Sequence, residues 1–527
     1  MEDRVEWPHE VAAGDERIVA AARETRGLVT AEQASTSGGP GPLVLAVDQG
    51  TSSTKALLVD GSGRVVSRAV VPVAESRPRP GWVEQSAGEL WQSVRRAVAA
   101  CVSPERAARV AGVGFGNQRE SLVLWERRTG EPVGPLISWQ DQRTADRCHE
   151  LAATGAADLV RSVSGMPLDP MFSALKAHWL LDAYDPDRRR ARAGELCLGT
   201  VDSWLLSRLG GEHVIEVGNA SRTQLLDVGT GHWDPRLLEL FGVPAEVLPR
   251  VVASCGAFPA VRDLAPLPDG VPVLAVMGDS HAAMFAHAGW RPGVVKATYG
   301  TGSSVMAIGD RGQAPGLCRS VAWDIDGPVL AVEGNIRATG RTVTWLAELF
   351  GVRTEDLLAE AADTGPEGVH FVPAFGGLGA PWWEPDATPV VTGLTLGTRR
   401  GQLVAAALEA VAFQVEDVVT AIEQAVGPVS VLMADGGLTR SDRMMRLQAD
   451  LGGRTVARSG EHDLSCLGVA DAAGLAAELW TLGELERRPR PADRFEPALD
   501  GTDRAARKAA WHEAVRRSRP SGEGSLT

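Results

Sequence analysis

Three glycine-rich turns, each next to an apolar β-type run, contain the residue types that can hold a nucleotide phosphate. They are Asp48-Gln-Gly-Thr-Ser-Ser-Thr-Lys55, Thr298-Tyr-Gly-Thr-Gly-Ser303 and Asp435-Gly-Gly437. Glycine allows the backbone to approach a phosphate closely, and free N–H groups and hydroxyls can donate hydrogen bonds to its oxygens. Each turn alone could be an ordinary tight hairpin. The three together, in this order, predict a site for ATP.

These turns would have to replace the usual phosphate loop, which the chain lacks. No Gly-Lys dipeptide occurs in the sequence, so a Gly-x-x-x-x-Gly-Lys-Ser/Thr loop is excluded. Gly112-Val-Gly-Phe-Gly116 is not a dinucleotide loop, because its third glycine is out of register and no acidic partner is evident. Asp48 could hold Mg²⁺ through water, and Lys55 could neutralise phosphate charge. The other predicted ATP contacts of the first turn are Thr51, Ser52 and Ser53.

The elements that must position these turns form two α/β units of similar design. Leu43–Asp48, Lys55–Asp60 and Arg64–Val73 are short strand-like runs joined by tight turns, which is typical of an antiparallel meander. Helix-periodic stretches and the apolar run Val110–Phe115 follow, which predicts a mixed sheet with helices on its faces. The second unit repeats this plan with the predicted strands Gly293–Tyr299, Ser303–Ile308, Val329–Glu333 and Val429–Ala434. This repetition favours a duplicated fold.

The length of 527 residues is too great for one ordinary core, so two large domains are expected. Residues 1–42 are polar and end in a Gly/Pro/Ser-rich stretch, which predicts a flexible N-terminal extension. We place a first domain at 43–288, a second at 289–495, and a C-terminal helix and tail at 496–527. The first domain contains the first phosphate turn, and the second domain contains the other two glycine turns.

Composition and charge exclude several classes of function. The net charge of −14 argues against a nucleic-acid partner, which needs a clustered basic surface. The six cysteines are far apart with no Cys-x-x-Cys pair, so neither a zinc site nor a disulfide framework is indicated. No run reaches the length of a membrane helix, and the N-terminus lacks the layout of a secretory signal. We therefore expect a cytoplasmic protein without a membrane partner.

With these turns and units in place, the chain resembles the FGGY family of carbohydrate kinases, and most of all its glycerol kinase branch. The similarity extends from about Leu43 to about Asp493. The resemblance implies two actin-like (ribonuclease H-like) domains, with the active site in the cleft between them. The stretches that carry it are Ala46-Val-Asp-Gln-Gly-Thr51, Gly81-Trp-Val-Glu84, Asn117-Gln-Arg-Glu120, Trp139-Gln-Asp-Gln-Arg-Thr144, Thr200-Val-Asp-Ser-Trp204, Asn219-Ala-Ser-Arg-Thr223, Phe371-Val-Pro-Ala-Phe375, Gly379-Ala-Pro-Trp382 and Leu408-Glu-Ala-Val-Ala-Phe-Gln414.

The resemblance also implies roles for single residues. Asp279, in Gly278-Asp-Ser-His-Ala282, falls where the family keeps its catalytic aspartate, which would take the proton of the attacking hydroxyl. Its structural alternative is a helix N-cap. Arg119 and Glu120 match the residues that grip adjacent hydroxyls of the substrate, and Trp139 matches the aromatic wall of that pocket. The matching nucleotide positions are Thr301, Gly340, Gly437 and Ser441.

Three pocket positions depart from the glycerol kinase pattern. Met171 replaces a tyrosine, Ser280 a glutamine and Ser304 a phenylalanine. A larger and more polar pocket would follow, so the sequence leaves open a four- or five-carbon polyol or ketose as the substrate instead of glycerol. A further alternative is a non-catalytic sugar sensor on the same scaffold. A sensor would not need both the nucleotide half and the substrate half of the site, so the presence of both speaks against it. A homodimer is plausible from the resemblance alone.

Overall fold

Two central β-sheets organise the chain, and each contains three neighbouring antiparallel strands followed by parallel ones. A computed structural model describes residues 30–33, 41–309, 314–361 and 364–520. The strands in chain order are β1 Thr30–Gln33, β2 Leu43–Gln49, β3 Ser53–Asp60, β4 Val65–Pro72, β5 Glu84–Gln85, β6 Val110–Asn117, β7 Leu122–Glu126, β8 Leu136–Ile137, β9 Leu196–Thr200, β10 Val214–Glu216, β11 Leu226–Asp227, β12 His232–Trp233, β13 Arg250–Val252, β14 Val273–Gly278, β15 Val294–Tyr299, β16 Ser303–Ile308, β17 Cys318–Asp324, β18 Pro328–Ile336, β19 His370–Val372, β20 Val390–Thr392, β21 Val431–Asp435, β22 Thr455–Ser459 and β23 Ala492–Phe495.

The two sheets share one strand order. The first runs β1-β4-β3-β2-β6-β14 and the second β17-β18-β16-β15-β21-β22-β23. In each, three antiparallel strands (β2-β3-β4 or β15-β16-β18) are followed by two strands parallel to the first of them (β6 and β14, or β21 and β22). β1 in the first sheet, and β17 and β23 in the second, are additional edge strands. This is the ribonuclease H-like order. The predicted fold of two actin-like α/β units is therefore confirmed.

Helices cover the faces of both sheets. The longest, Arg400–Val426, is rich in alanine and places most of its side chains in the core of the second unit, against β16 and β18. The helices in chain order are Ala87–Cys101, Pro104–Ala107, Ala145–Ala153, Ala156–Ser164, Ser173–Tyr184, Arg189–Arg192, Val201–Gly210, Val217–Ser221, Pro235–Phe241, Asp279–Ala286, Gly340–Phe350, Thr354–Glu360, Arg400–Val426, Asp442–Gly452, Leu464–Ala476, Leu482–Arg487 and Gly501–Ser518, with 3₁₀ turns at Ala245–Val247 and Gly437–Arg440.

An apolar core joins the two units and fixes their relation. The helix Leu464–Ala476 lies between β22 and β23 of the second sheet in sequence, yet it packs on β2, β6 and β14 of the first sheet and on the helix Asp279–Ala286. A Cβ at Gly468 would lie 1.8 Å from the carbonyl oxygen of Ala282, so only glycine permits this approach. Residues of both sheets and both helices share one buried cluster, which includes Val44, Ala46, Met306, Ala331 and Val469.

The termini and the division between the units differ in detail from a simple reading of the sequence. Thr30–Gln33, within the segment predicted to be a flexible extension, forms an edge strand antiparallel to β4. The rest of that extension up to residue 40 lies outside the described residues. The first sheet ends at Gly278 and the second begins at Val294, and the predicted boundary at 289 between them stays a prediction. No helix in the described ranges is long and apolar enough to cross a bilayer.

Candidate functional site

The first predicted phosphate turn is the hairpin between β2 and β3. Asp48 lies opposite Lys55 in the antiparallel ladder and beside Gly116 of β6, and the turn is closed by a hydrogen bond from Gly50 N to Ser53 O of 3.0 Å. Asp48 is buried, and its Oδ1 has no hydrogen-bond partner in the described part of the chain. Burial raises the pKa of this carboxyl to about 7, although Lys55 opposes the shift. The hairpin thus presents an unsatisfied carboxylate oxygen.

The other residues of this hairpin have contacts that the sequence did not reveal. Lys55 Nζ forms an ion pair with Asp463 Oδ1 at 3.2 Å, so this cation already has a carboxylate partner. Trp139 Nε1 donates to Thr51 Oγ1 at 3.0 Å, which ties the predicted aromatic wall to the phosphate turn. Ser52 is exposed and Ser53 half-buried. The four predicted ATP contacts of this turn therefore lie together, with Lys55 partly engaged elsewhere.

The second and third turns lie at one end of the second sheet. Thr298, which opens the β15–β16 turn, pairs with Asp435, which closes β21. Thr301 is exposed in this turn, and Gly340 N donates to Gly300 O at 3.0 Å, which places the start of the helix Gly340–Phe350 beside it. This arrangement groups the predicted nucleotide positions Thr301 and Gly340.

The turn after β21 is open where a ligand could approach. No atom of the described chain lies within 4 Å of the position that a Cβ of Gly437 would take. The hydroxyl of Ser441 accepts a hydrogen bond from Met444 N at 3.3 Å and so caps the helix Asp442–Gly452. Asp435 Oδ2 lies 3.0 Å from His287 Nε2. Gly437 can therefore meet a nucleotide directly, whereas Ser441 has a structural contact of its own.

Strand alternation places one polar row on the inner face of the second sheet. Thr298 pairs with Ser304, and Ser304 pairs with Asn335, so these three side chains share a face. Lys296 and Glu333 lie on the same face, each two residues from a member of that row. The intervening side chains of β15 are apolar and belong to the core behind the sheet. The same face also carries Met306 and Ala331, which belong to the apolar cluster shared with the first unit, so the polar row faces that unit.

Asp279 is the first residue of the helix that follows β14, and Gly278 occupies the cap position. Its Oδ1 accepts a hydrogen bond from Ser280 N at 2.6 Å and lies 3.4 Å from Arg119 Nε. About a third of the side chain, 35%, is accessible. The surrounding protein atoms raise the pKa of Asp279 above its usual value, and the Arg119 guanidinium opposes this shift. A partly accessible carboxylate beside a guanidinium is suited to accept a proton.

Arg119 and Glu120, the predicted diol clamp, belong to a buried network of four charges. Arg119 donates to both oxygens of Glu333, at 2.8 and 2.7 Å. Glu120 accepts from Arg222 Nε at 2.6 Å, and Arg222 Nη1 lies 3.0 Å from Glu333 Oε2. Burial opposes ionisation of Glu333, but Arg119 and Arg222 hold its pKa well below the usual value. The network joins the two units, because Glu333 belongs to β18.

Local backbone geometry aims these two clamp residues. Glu120 has a φ of 62°, a left-handed conformation that is uncommon for a side chain of this size. A Cβ at Gly278 would lie 2.6 Å from the Arg119 side chain, so glycine there makes room for the guanidinium stem. Ser173 Oγ donates to the Glu120 carbonyl at 2.8 Å and steadies the turn.

Sequence reasoning did not assign Arg222 or Glu333 to the site. The available signal for Arg222 was its place in the family stretch Asn219-Ala-Ser-Arg-Thr223. For Glu333 it was a charged residue at the end of an apolar strand, Val329–Glu333. Both side chains are fully buried, which charged residues are only when they are paired.

The three positions that depart from the family pattern have different surroundings. Met171 is half-buried and packs near Trp383, in a small cluster with Phe172 whose ring lies 5.2 Å from the Arg222 guanidinium. Ser280 is half-buried next to Asp279. Ser304 Oγ donates to Glu333 Oε1 at 2.7 Å. The Ser304 hydroxyl therefore serves the charge network, so it does not simply leave an open polar pocket.

The arrangement fits a phosphoryl transfer site. One side offers glycine turns, hydroxyls and the unsatisfied Asp48 oxygen, which suit a nucleotide triphosphate with a hard divalent cation. The other offers the Asp279 carboxylate beside Arg119 and Glu120, which suit a hydroxylated substrate. Asp48 pairs with Gly116 of β6, and Gly278, next to Asp279, pairs with Asn117 of the same strand. The two halves of the site therefore meet.

Comparison with known proteins agrees with this geometry. Residues 43–286 match the profile of the FGGY family of carbohydrate kinases, N-terminal domain, and residues 295–477 match that of its C-terminal domain. The chain is 42% identical over 492 residues to a glycerol kinase of Alkalilimnicola ehrlichii, covering 90% of this chain and 98% of that protein. It is 39% identical over 489 residues to an apulose kinase of Pectobacterium atrosepticum, covering 91% and 98%. The crystal structure of Plasmodium falciparum glycerol kinase with ADP superposes with a TM-score of 0.82 at 27% identity, covering 91% and 99% of the two chains.

Proposed function

The chain belongs to the FGGY family of carbohydrate kinases and is an ATP-dependent kinase of a polyol or sugar hydroxyl, and from this premise we propose that Asp279 is its general base. The observation that carries the proposal is the Asp279 carboxylate, partly accessible and 3.4 Å from Arg119, between the two sheets. The substrate hydroxyls would lie against Arg119, Glu120 and Trp139.

The proposed reaction moves one phosphoryl group. The substrate hydroxyl gives its proton to the Asp279 carboxylate while its oxygen forms a bond to the γ-phosphorus of ATP. The bond between that phosphorus and the β,γ-bridging oxygen breaks, and the bridging oxygen leaves with ADP. Thr51, Ser52 and Ser53 would bind phosphate oxygens on one side, and Thr301, Gly340 and Gly437 would bind the nucleotide on the other. Ser441 is the least direct of these contacts because its hydroxyl caps a helix.

Asp48 would hold Mg²⁺ through water. Its unsatisfied, buried Oδ1 fits this role, since Mg²⁺ prefers oxygen ligands and retains several of its waters. The ion would neutralise phosphate charge when bound. Within the described residues no group of three or more His, Cys, Asp or Glu side chains could by itself hold a metal ion.

Glycerol is the proposed acceptor, because two of the relatives reported above are glycerol kinases. These comparisons do not favour the larger polyol or ketose that the departures at Met171, Ser280 and Ser304 had suggested. Nor do they favour the non-catalytic sensor. A cytoplasmic location is proposed because ATP is available there, and a homodimer stays a prediction that the solution mass would test.

A substrate panel tests the proposal. We would measure ADP release by the purified protein with Mg²⁺ and ATP against glycerol, erythritol, threitol, xylitol, arabitol, ribitol, xylulose and ribulose. The proposal predicts that glycerol gives the highest kcat/KM. A higher value for a four- or five-carbon compound would overturn the choice of glycerol and keep the kinase. No substrate-dependent ADP release from any compound would contradict the kinase proposal for this acceptor class.

A further inference from the structure

Lys296 is a buried lysine that the mechanism above does not use. It lies in β15, its side chain is fully buried, and its Nζ has no hydrogen-bond partner among the described residues. An ammonium group has three donors, and burial without partners is costly. Such a group is retained where a ligand completes its surroundings.

The other three lysines of the chain are all engaged. Lys55 pairs with Asp463 at 3.2 Å. Lys176 is equally buried, but it donates to the carbonyls of three residues of one loop, at 2.7, 2.5 and 3.2 Å. Lys508 donates to Thr420 at 3.0 Å. Lys296 therefore differs from its counterparts in having free donors.

The position of Lys296 is on the inner face of the second sheet, two residues before Thr298. Its cross-strand neighbours are methionines, Met306 on β16 and Met433 on β21. The thioether sulfur of methionine is only a weak hydrogen-bond acceptor. The charged groups that act on it are Asp435, Glu333, Arg119 and Asp279. Lys296 thus lies within electrostatic reach of both the nucleotide turn and the proposed base.

Lys296 does not serve as the ion-pair partner of a buried carboxylate, because each carboxylate near it has another partner. Glu333 receives Arg119 and Arg222. Asp435 is hydrogen-bonded to His287, and Asp279 to its own helix and Arg119. None of these carboxylates is within hydrogen-bond distance of Lys296 Nζ. The Lys296 ammonium is therefore buried among carboxylates that have other partners, and it donates to none of them.

We infer that Lys296 is a further catalytic residue, which donates its ammonium hydrogens to oxygens of the transferring phosphoryl group. This inference rests on the proposed site between Asp48, Asp279 and Asp435. Lys55 is paired with Asp463, so a lysine without a carboxylate partner would add stabilisation, beside the metal ion, where charge spreads over the equatorial oxygens. Lys296 stays protonated throughout the reaction. The proton of the substrate hydroxyl goes to Asp279, as in the proposed reaction.

The electrostatics of the lysine are consistent with this role. Burial lowers the pKa of Lys296, while Asp435 and Glu333 act in the opposite direction. The incoming phosphoryl group adds negative charge beside the ammonium and so favours its charged form. The interaction is therefore strongest at the stage where the phosphoryl group is present.

The test compares Lys296→Met with Lys508→Met, which removes a lysine remote from the site. Isothermal titration calorimetry, with Mg²⁺ and glycerol present, would measure the affinity for ADP alone and for ADP with aluminium fluoride, which mimics the transferring phosphoryl group. For Lys296→Met we expect ADP affinity within about threefold of wild type, and loss of about 100-fold in both analogue affinity and kcat. Lys508→Met should leave all three quantities unchanged.

Several results would overturn the inference. One is an analogue affinity that falls no more than ADP affinity, and another is a kcat within about threefold of wild type. If Lys296→Met does not fold, Lys296→Gln takes its place, since it keeps a donor but removes the charge. If wild type itself phosphorylates nothing in the substrate panel, the choice of acceptor fails. The ratio of ADP affinity to analogue affinity, measured without a polyol, still decides the role of Lys296.

Discussion

Glu333 holds the two units together at the substrate clamp, and replacing it with glutamine should disable the clamp more than the fold. Its carboxylate receives two charge-assisted hydrogen bonds from Arg119 and an ion pair from Arg222, all between 2.7 and 3.0 Å. Ser304 donates a further hydrogen bond at 2.7 Å. Glu333→Gln keeps the shape and one acceptor, but it removes the negative charge between two guanidinium groups.

The magnitude follows from these contacts. Without the negative charge of Glu333, Arg119 is held less firmly against the substrate hydroxyls. A hydrogen bond from a charged group contributes about 1.5–3 kcal/mol. Arg119 retains Asp279 and Arg222 retains Glu120, so the fold keeps two of the ion pairs. A loss of about 3 kcal/mol in transition-state binding corresponds to about a 100-fold change in kcat/KM. We expect this loss in kcat/KM for the polyol, with the KM for ATP changed by less than about threefold.

The assay measures steady-state kinetics with each substrate varied in turn, together with circular dichroism to establish that the variant is folded. The matched control is Glu416→Gln. Glu416 is also buried and accepts from Arg454 at 2.7 Å, but it lies away from the clamp, and Arg454 retains Glu423. The control should lower thermal stability and leave the polyol kinetics unchanged. Wild-type kcat/KM in Glu333→Gln, or an equal loss in Glu416→Gln, would refute the reasoning.

Three further predictions concern the base, the phosphate turn and the interface between the units. The pKa of Asp279 is raised, and its carboxylate must be unprotonated to act as the base. Therefore kcat/KM should fall as the pH is lowered, with a midpoint above the ordinary carboxyl value of 3.8. A pH–rate profile with its midpoint at or below 3.8 would contradict the prediction. Trp139→Phe removes the 3.0 Å hydrogen bond to Thr51 and should raise the KM for ATP by about three- to tenfold. An unchanged KM would show that this hydrogen bond does not orient the phosphate turn. Gly468→Ala places a methyl group against the carbonyl of Ala282 and should destabilise the protein by about 1–3 kcal/mol. Differential scanning fluorimetry should show a lower unfolding midpoint. An unchanged midpoint would refute the close packing of the two helices.

The local parts of the site were predictable from sequence because short-range chemistry defines them. The β2–β3 hairpin around Gly50 and the β15–β16 hairpin around Gly300 follow from glycine and hydroxyl residues between apolar runs, and the structure contains both. The repetition of strand–turn–strand elements follows from the same pattern. Asp279 was identified by its family stretch, and the structure places it at the start of a helix beside Arg119.

The long-range pairings were not predictable in the same way. Arg119 and Glu333 are 214 residues apart, and only the facing of the two sheets brings them together. Lys55 was predicted to neutralise phosphate charge, and its ion pair with Asp463 was not foreseen, because it arises where the helix Leu464–Ala476 packs on the first sheet. No local pattern indicates that a helix of the second half will cover the first. Charge partners depend on that tertiary placement, which composition and periodicity do not encode.

The central claim is that Asp279 deprotonates the substrate hydroxyl, and one measurement tests it most directly. Formation of the phosphate ester from ATP and glycerol would be followed by ³¹P NMR for wild type and Asp279→Asn, with ADP affinity measured for both. We predict that the substitution slows ester formation by about 100- to 10,000-fold while ADP affinity changes little. Ester formation within about tenfold of the wild-type rate would contradict the account.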